Sequence, residues 1–194
     1  MFIRTERLFL RPGWIEDAPE LARAIAHEPV VRMLARAPWP YGEADARAFL
    51  EALQDPRLPT LLVTLPAEKG RIIGGCGLHR GSSADVEVGY WITPDCWGNG
   101  YASEALAGLL HVARMLGHER LAARHALDNP ASGAVLRANG FGLTGRTALY
   151  HSLGRGAELG CVEYAIDLGR VFPSQPNWTQ AAAYAAGAGL GAAA

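Results

Sequence analysis

The chain has 194 residues, 49% apolar and 19% charged, which reads as one soluble globular domain long enough to bury a sizeable core. A net charge of -1 removes the global electrostatic case for a nucleic-acid or anionic-membrane partner, and no apolar run approaches the ~20 residues of a membrane span. Three cysteines (Cys76, Cys96, Cys161) without a CxxC, and six histidines without ligand spacing, argue against a disulfide framework and a metal site.

Taken in chain order, the N-terminus is charged too early for a signal peptide, so a cytoplasmic location is expected. Residues 5–11 alternate, with Leu8 and Leu10 on one side and Arg7, Phe9 and Arg11 on the other, and predict a first strand. Asp17 is placed to cap a helix carrying Leu21 and Ile25 on one face, with a break near His27 and Glu28 because of Pro29. After the turn cluster Trp39-Pro40-Tyr41-Gly42, a second helix is predicted over 43–54, with Ala46, Phe49, Leu50 and Leu53 inward. Three strands follow, over 60–65, 71–78 and 85–92. The turns Glu68-Lys69-Gly70 and Gly81-Ser82-Ser83 separate them into an antiparallel meander.

A long helix is predicted over 100–116, ended by Gly117, then a strand over 121–127. That strand-helix-strand crossover should be parallel and right-handed. Asn129-Pro130 opens a short helix that stops at Asn139-Gly140, and two last strands fit 141–150 and 161–168. The domain is therefore expected over 1–170. Residues 171–194, Ala/Gly-rich and uncharged, read as a disordered or loosely docked tail; if it docks, Trp178 and Tyr184 are the groups to meet a homodimer partner.

The stretch Trp97-Gly98-Asn99-Gly100-Tyr101-Ala102 joins a strand to a helix through two glycines. The bare amides of a helix N-terminus then converge on one spot, a ready site for a diphosphate. It is not the GxxxxGK(S/T) loop, which needs a lysine, nor GxGxxG, whose third glycine is missing at Ser103. It resembles the acyl-CoA pyrophosphate loop of the GNAT acetyltransferases, (Q/R)xxGx(G/A), with Trp97 in place of Gln or Arg, a form common in the RimJ/RimL-like branch. Two further segments are similar to that branch: Thr5-Glu6-Arg7-Leu8-Phe9-Leu10-Arg11 at the start, and Asn129-Pro130-Ala131-Ser132 followed by Asn139-Gly140-Phe141. Together with Glu87-Val88-Gly89-Tyr90-Trp91-Ile92, these carry a resemblance that extends from about residue 5 to residue 168, most of the chain.

The resemblance implies an α/β (α+β) GNAT fold: a mixed, mostly antiparallel seven-stranded sheet, helices on both faces, and a splayed central strand pair. It implies acetyl-CoA as co-substrate, an amine as acceptor, and pantetheine lying in the splay against main-chain amides near Ile92. One such amide could also polarise the thioester carbonyl. By position, Gly98, Asn99, Gly100, Tyr101 and Ala102, with Trp97, would hold the diphosphate, and Asn129 and Ser132 would touch the pantetheine arm.

For chemistry, the amine must lose a proton and the CoA thiolate must be protonated or solvated. Glu87 is the candidate base. It either carries a raised pKa or pairs with an arginine such as Arg124 on the neighbouring strand. The tyrosine acid that many GNAT enzymes carry on the short helix is Leu136 here, which leaves Ser132, a water or bulk solvent as donor. Trp39, Tyr41 and Trp91 are candidate acceptor-pocket residues or packing groups, Tyr90 reads as core, and the histidines carry no catalytic expectation. The leading function is an N-acetyltransferase acting by direct transfer on a protein N-terminus or a small-molecule amine. The competing class is a non-catalytic acyl-CoA-binding or interaction domain.

Overall fold

The computed structural model describes residues 1–52, 55–81 and 85–169. The tail expected beyond residue 170 lies outside them, as does Leu53. Eight strands form one sheet: β1 Ile3–Arg4, β2 Phe9–Arg11, β3 Thr60–Leu65, β4 Arg71–Arg80, β5 Val86–Ile92, β6 Arg120–Ala126, β7 Gly142–Ser152 and β8 Ala157–Asp167. Their order is β1-β2-β3-β4-β5-β6-β8-β7. Every neighbouring pair is antiparallel except β5 and β6, the pair joined by the long-helix crossover.

Seven strands become eight because the opening segment is a hairpin and not one strand. Thr5 N–H donates to Leu8 O at 3.0 Å, and Leu8 N–H donates back to Thr5 Oγ1 at 3.0 Å. A threonine hydroxyl that satisfies the backbone locally competes with a ladder, so β1 turns back onto β2. Leu8 and Leu10 are both fully buried, as the alternation requires.

Helices cover both faces: α1 Ala18–Ile25, α2 Glu28–Val31 and α3 Glu43–Glu51 on one, α4 Tyr101–Met115 and α5 Pro130–Ala138 on the other. The main core joins Leu106, Leu109 and Val112 of α4 and Leu136 of α5 to Leu61, Val63, Ile73, Val88 and Leu121 of the sheet. The smaller core packs Leu21 of α1 and Leu50 of α3 on Leu62 and Ile72. Successive residues of β3 thus feed opposite layers, as a period of two demands. Phe49, expected inward, is 37% exposed because α3 ends at Glu51 and buries only Ala46 and Leu50.

Asp17 also departs from expectation. It precedes α1 but makes no cap bond to it. Its carboxylate accepts from Trp14 N–H at 2.8 Å and from both Nη atoms of Arg11 at 2.7 Å, closing the turn before the helix. Burial raises its pKa, but these bonds and the Arg11 charge outweigh that, leaving it below its ordinary value.

Candidate active site

Between β5 and α4 the chain makes a 3-10 turn at Pro94–Cys96 and then the glycine loop. Gly98 and Gly100 both sit at φ 77°, in the left-handed region, where a side chain is strained. A Cβ on Gly98 would meet nothing within 4 Å, and one on Gly100 would meet only Arg7 Nη2 at 3.5 Å. The loop that leads into the first turn of α4 is therefore open around both glycines. Asn99 folds it by donating from Nδ2 to Cys96 O at 3.2 Å and Trp97 O at 3.1 Å. Trp97, standing where Gln or Arg is usual, donates its indole N–H to Ile92 O at 2.6 Å and ties the loop to the end of β5.

A second tie comes from the N-terminal turn. Arg7 donates from Nε to Glu104 Oε2 at 2.7 Å and from Nη1 to Asn99 O at 2.9 Å, with its guanidinium 4.7 Å from the Tyr101 ring centroid. Thr5 Oγ1 donates to Glu104 Oε1 at 2.6 Å. Burial raises the Glu104 pKa, but the bonds from Thr5 and Arg7 leave it below its ordinary value. The opening Thr-Glu-Arg segment thus clamps the first turn of α4, a role its sequence alone gave no sign of.

The central pair is splayed. Among the described residues β5 and β6 share one register pair, Glu87↔Ala122, and the ladder lapses beyond it. Main-chain groups of β5 past Glu87 consequently lack a strand partner on the β6 side, which leaves a slot of the kind an extended ligand can fill. At Ile92, the carbonyl is taken by Trp97 and the side chain is buried.

Across the slot, Tyr90 reaches from β5 to the start of α5. Its hydroxyl lies 2.9 Å from Ser132 O and 2.9 Å from Ser132 Oγ. Asn129 is the N-cap of α5 and accepts from Ser132 N–H at 3.3 Å. Burial pushes the Tyr90 phenol up to about 12. Leu136 is buried in the main core, so it offers nothing to the slot. Tyr90, read as core from the sequence, is the residue that joins the two sides; only its place opposite Ser132 reveals this.

On the other face of β5, Glu87, Gly89 and Trp91 stand opposite His79, Gly77 and Gly75 of β4. Glu87 has the arginine partner. Arg124 donates from Nε to Oε2 at 2.9 Å and from Nη2 to Oε1 at 2.8 Å, while His79 Nε2 lies 3.6 Å from Oε2. Burial raises the Glu87 pKa, but His79 and Arg124 together outweigh it and hold the carboxyl below its ordinary value. A cavity of about 70 Å³ opens beside this pair, lined also by Asp85, Arg120, Arg146 and Glu163.

Trp91 lies over Gly75, where a Cβ would come within 2.8 Å of its Nε1, and packs with Tyr41 against the small cores. Burial and then Asp45 raise the Tyr41 phenol to about 12. Trp39 is 44% exposed at the rim. The wall between them is pinned by the tip of the β7–β8 hairpin. Ser152 Oγ donates to Leu34 O at 2.9 Å, Leu153 N–H to Ala35 O at 3.0 Å, and Arg155 Nε to Arg32 O at 2.7 Å. Asp128 holds Arg155 in place through Nη1 at 2.7 Å.

Known proteins share this architecture. Residues 7–142 match the family model described as the acetyltransferase (GNAT) domain. The uncharacterized N-acetyltransferase YoaA of Bacillus subtilis is 26% identical over 153 residues, 72% of this chain and 81% of that protein. A GNAT-family acetyltransferase from Bacillus anthracis superposes with a TM-score of 0.75 at 23% identity, over 88% of this chain and 100% of the other. RimL, a ribosomal L7/L12 alpha-N-protein acetyltransferase solved with coenzyme A, superposes with a TM-score of 0.72 at 20% identity, over 86% and 98%. No helix among the described residues is long and apolar enough to cross a membrane.

Proposed function

The chain belongs to the GNAT acetyltransferase family, and on that premise we propose that it is an N-acetyltransferase that moves the acetyl group of acetyl-CoA directly to a primary amine. The observation that carries this is the lapse of the β5–β6 ladder beyond Glu87, next to the open glycine loop. A slot for an extended arm leads to a loop for its diphosphate, and Trp91, Tyr41 and Trp39 give the acceptor a separate approach on the opposite face. RimL, solved with coenzyme A, has the same fold.

In this reading the amides of residues 98–102 hold the diphosphate, and Trp97 and Asn99 shape the loop that presents them. Asn129 fixes the start of α5, and β5 main-chain groups up to Ile92 align pantetheine. The amine attacks the thioester carbon, a β5 amide stabilises the oxyanion, and the C–S bond breaks. Ser132 and Tyr90 form the donor pair beside the leaving sulfur. A phenol pushed up to about 12 by burial is a weaker acid than an alkyl thiol. The pair therefore stabilises the thiolate by hydrogen bonding, and solvent supplies the final proton. Holding both reactants in register supplies much of the acceleration.

The acceptor belongs to the broad class of protein N-termini and small-molecule amines, the enzyme works in the cytoplasm, and residues 1–170 suffice for it. Thermal shift with acetyl-CoA tests binding. Thiol release with a mixed panel of amines and N-terminal peptides tests turnover. Binding without thiol release from any of them would leave a non-catalytic acyl-CoA-binding domain.

A further inference from the structure

We propose that His79 is the group that takes the proton from the acceptor amine, and that Glu87 is the carboxylate that orients it. The inference rests on the acetyltransferase reading above and assigns the base within it. Its starting point is the occupancy of Glu87. Both carboxylate oxygens accept from Arg124, and the side chain is only 8% exposed. An ion-paired carboxylate held below its ordinary pKa is a weak base at neutral pH. His79 is 38% exposed, faces Glu87 across β4 and β5, and carries an imidazole, the side chain that most often serves as a general base.

The placement favours the ring. His79 Nε2 points at Glu87 Oε2, 3.6 Å away. With the proton on Nε2, the lone pair sits on Nδ1, for which no hydrogen bond occurs among the described residues. That edge of the ring reaches over Gly89. A Cβ on Gly89 would lie 3.4 Å from His79 Cε1 and 3.7 Å from Nδ1, with nothing else within 4 Å. Gly89 is the first residue on this face past the last β5–β6 register pair. The bare floor between Trp91 and the His79–Glu87 pair is therefore where an amine meets a thioester lying in the slot. Charged and titratable groups surround the pair: Arg124 and Arg120 on β6, Asp85 before β5, Arg146 on β7 and Glu163 on β8 line the cavity beside Glu87, Tyr150 on β7 interacts with Arg124, and Tyr41 packs with Trp91 from the helical layer.

The step balances without any further reactant. The amine lone pair forms the N–C bond and the carbonyl π pair moves to oxygen. The adduct's ammonium proton passes to Nδ1, giving an imidazolium that Glu87 stabilises. Collapse re-forms the carbonyl and breaks the C–S bond, and the thiolate leaves with the electron pair and is protonated by solvent. Exposed His79 then returns its proton to water. A carboxylate that fixes a histidine tautomer and stabilises its cation is an established way to build such a base.

The test uses the full-length chain. Wild type must first bind acetyl-CoA by calorimetry and release thiol with an amine of the panel; failure there overturns the acetyltransferase reading and this inference with it. Given turnover, His79→Gln and His79→Asn lower kcat/KM by about two to four orders of magnitude. Tm and acetyl-CoA affinity stay at the wild-type values, and the acidic limb of the pH-rate profile disappears. Glu87→Gln keeps an acidic limb, moved to lower pH, at reduced rate. If both His79 variants keep their rate and acidic limb while Glu87→Gln loses both, Glu87 is the base and the inference is overturned.

Discussion

Removing Arg124 isolates what the ion pair contributes. Arg124→Met keeps most of the side-chain volume but deletes both donors to a carboxylate that is 8% exposed. What remains near Glu87 is His79 at 3.6 Å. Breaking a buried pair by deleting one partner costs ~3–5 kcal/mol. Arg124 is 21% exposed, so water can partly replace it and the lower end, about 3 kcal/mol, applies. For a domain of this size each kcal/mol moves Tm by ~2–4 °C, so Arg124→Met should melt roughly 6–12 °C below wild type at pH 7. The double variant Glu87→Gln with Arg124→Met removes the stranded charge and should recover more than half of that loss.

The pH dependence has a definite sign. In the wild type the folded Glu87 pKa lies below its unfolded value, so its contribution is complete above the unfolded pKa and is lost as pH falls through the folded one. In Arg124→Met, loss of the arginine raises the folded pKa relative to wild type, so protonation begins at higher pH and removes the stranded charge earlier on acidification. The stability gap between the two proteins should narrow steadily from pH 7 towards pH 4. Thermal melts of the three proteins across that range are the assay. An Arg124→Met protein within ~1 kcal/mol of wild type at pH 7, with no recovery in the double variant, would refute the account of Glu87 as a buried paired carboxylate.

Gly100→Asp places a Cβ at φ 77° and a negative charge on the open side of the loop; acetyl-CoA affinity by calorimetry should fall at least ~10-fold in a protein that still folds, and unchanged affinity would remove the loop from the site. Ser132→Ala deletes the hydroxyl 2.9 Å from Tyr90 OH and should lower kcat by roughly 10-fold or more with KM for acetyl-CoA little changed, whereas an equal rise in KM would mark Ser132 as a binding group only. A chain ending at residue 170 should keep its Tm and its thiol-release rate, as expected from the uncharged Ala/Gly composition beyond it; loss of folding would show that those residues dock.

What the sequence disclosed was local or periodic. The Glu68-Lys69-Gly70 turn, the strands expected over 60–65 and 85–92 and the helix over 100–116 each depend on neighbours within a turn or a few residues, and these elements stand within a residue of where the pattern puts them. The glycine loop was legible because its geometry requires residues that tolerate positive φ. What stayed hidden depended on partners far along the chain. Arg7 meets Asn99 and Glu104, residues 92 and 97 positions away. Tyr90 finds Ser132, 42 positions on, only because β5 and β6 diverge. For Glu87 the sequence left two environments open; the register that brings Arg124 and His79 to it gives the paired one. His79 itself carried no motif, and its interest arises from a cross-strand position. Even the error at the first strand was local: a threonine hydroxyl that closes a turn looks, by alternation alone, like one more residue of a strand.

The wall beside Tyr41 and Trp91, which is the acceptor side in the proposed function, has a consequence for how the protein is made. It is stitched from residues 32–35 and 152–155, with contacts spanning 118, 122 and 123 positions. Closing so long a loop costs entropy that only late, cooperative contacts repay. A ribosome has released the whole glycine loop and α4 well before the hairpin tip appears, at about 5–20 residues per second. The nascent chain can therefore complete its cofactor side while the acceptor side still lacks its second half. If the chain is the N-acetyltransferase proposed above, its chemistry becomes available only when nearly the whole domain has emerged, and unfinished chains hold no assembled pocket in which a nearby amine is modified.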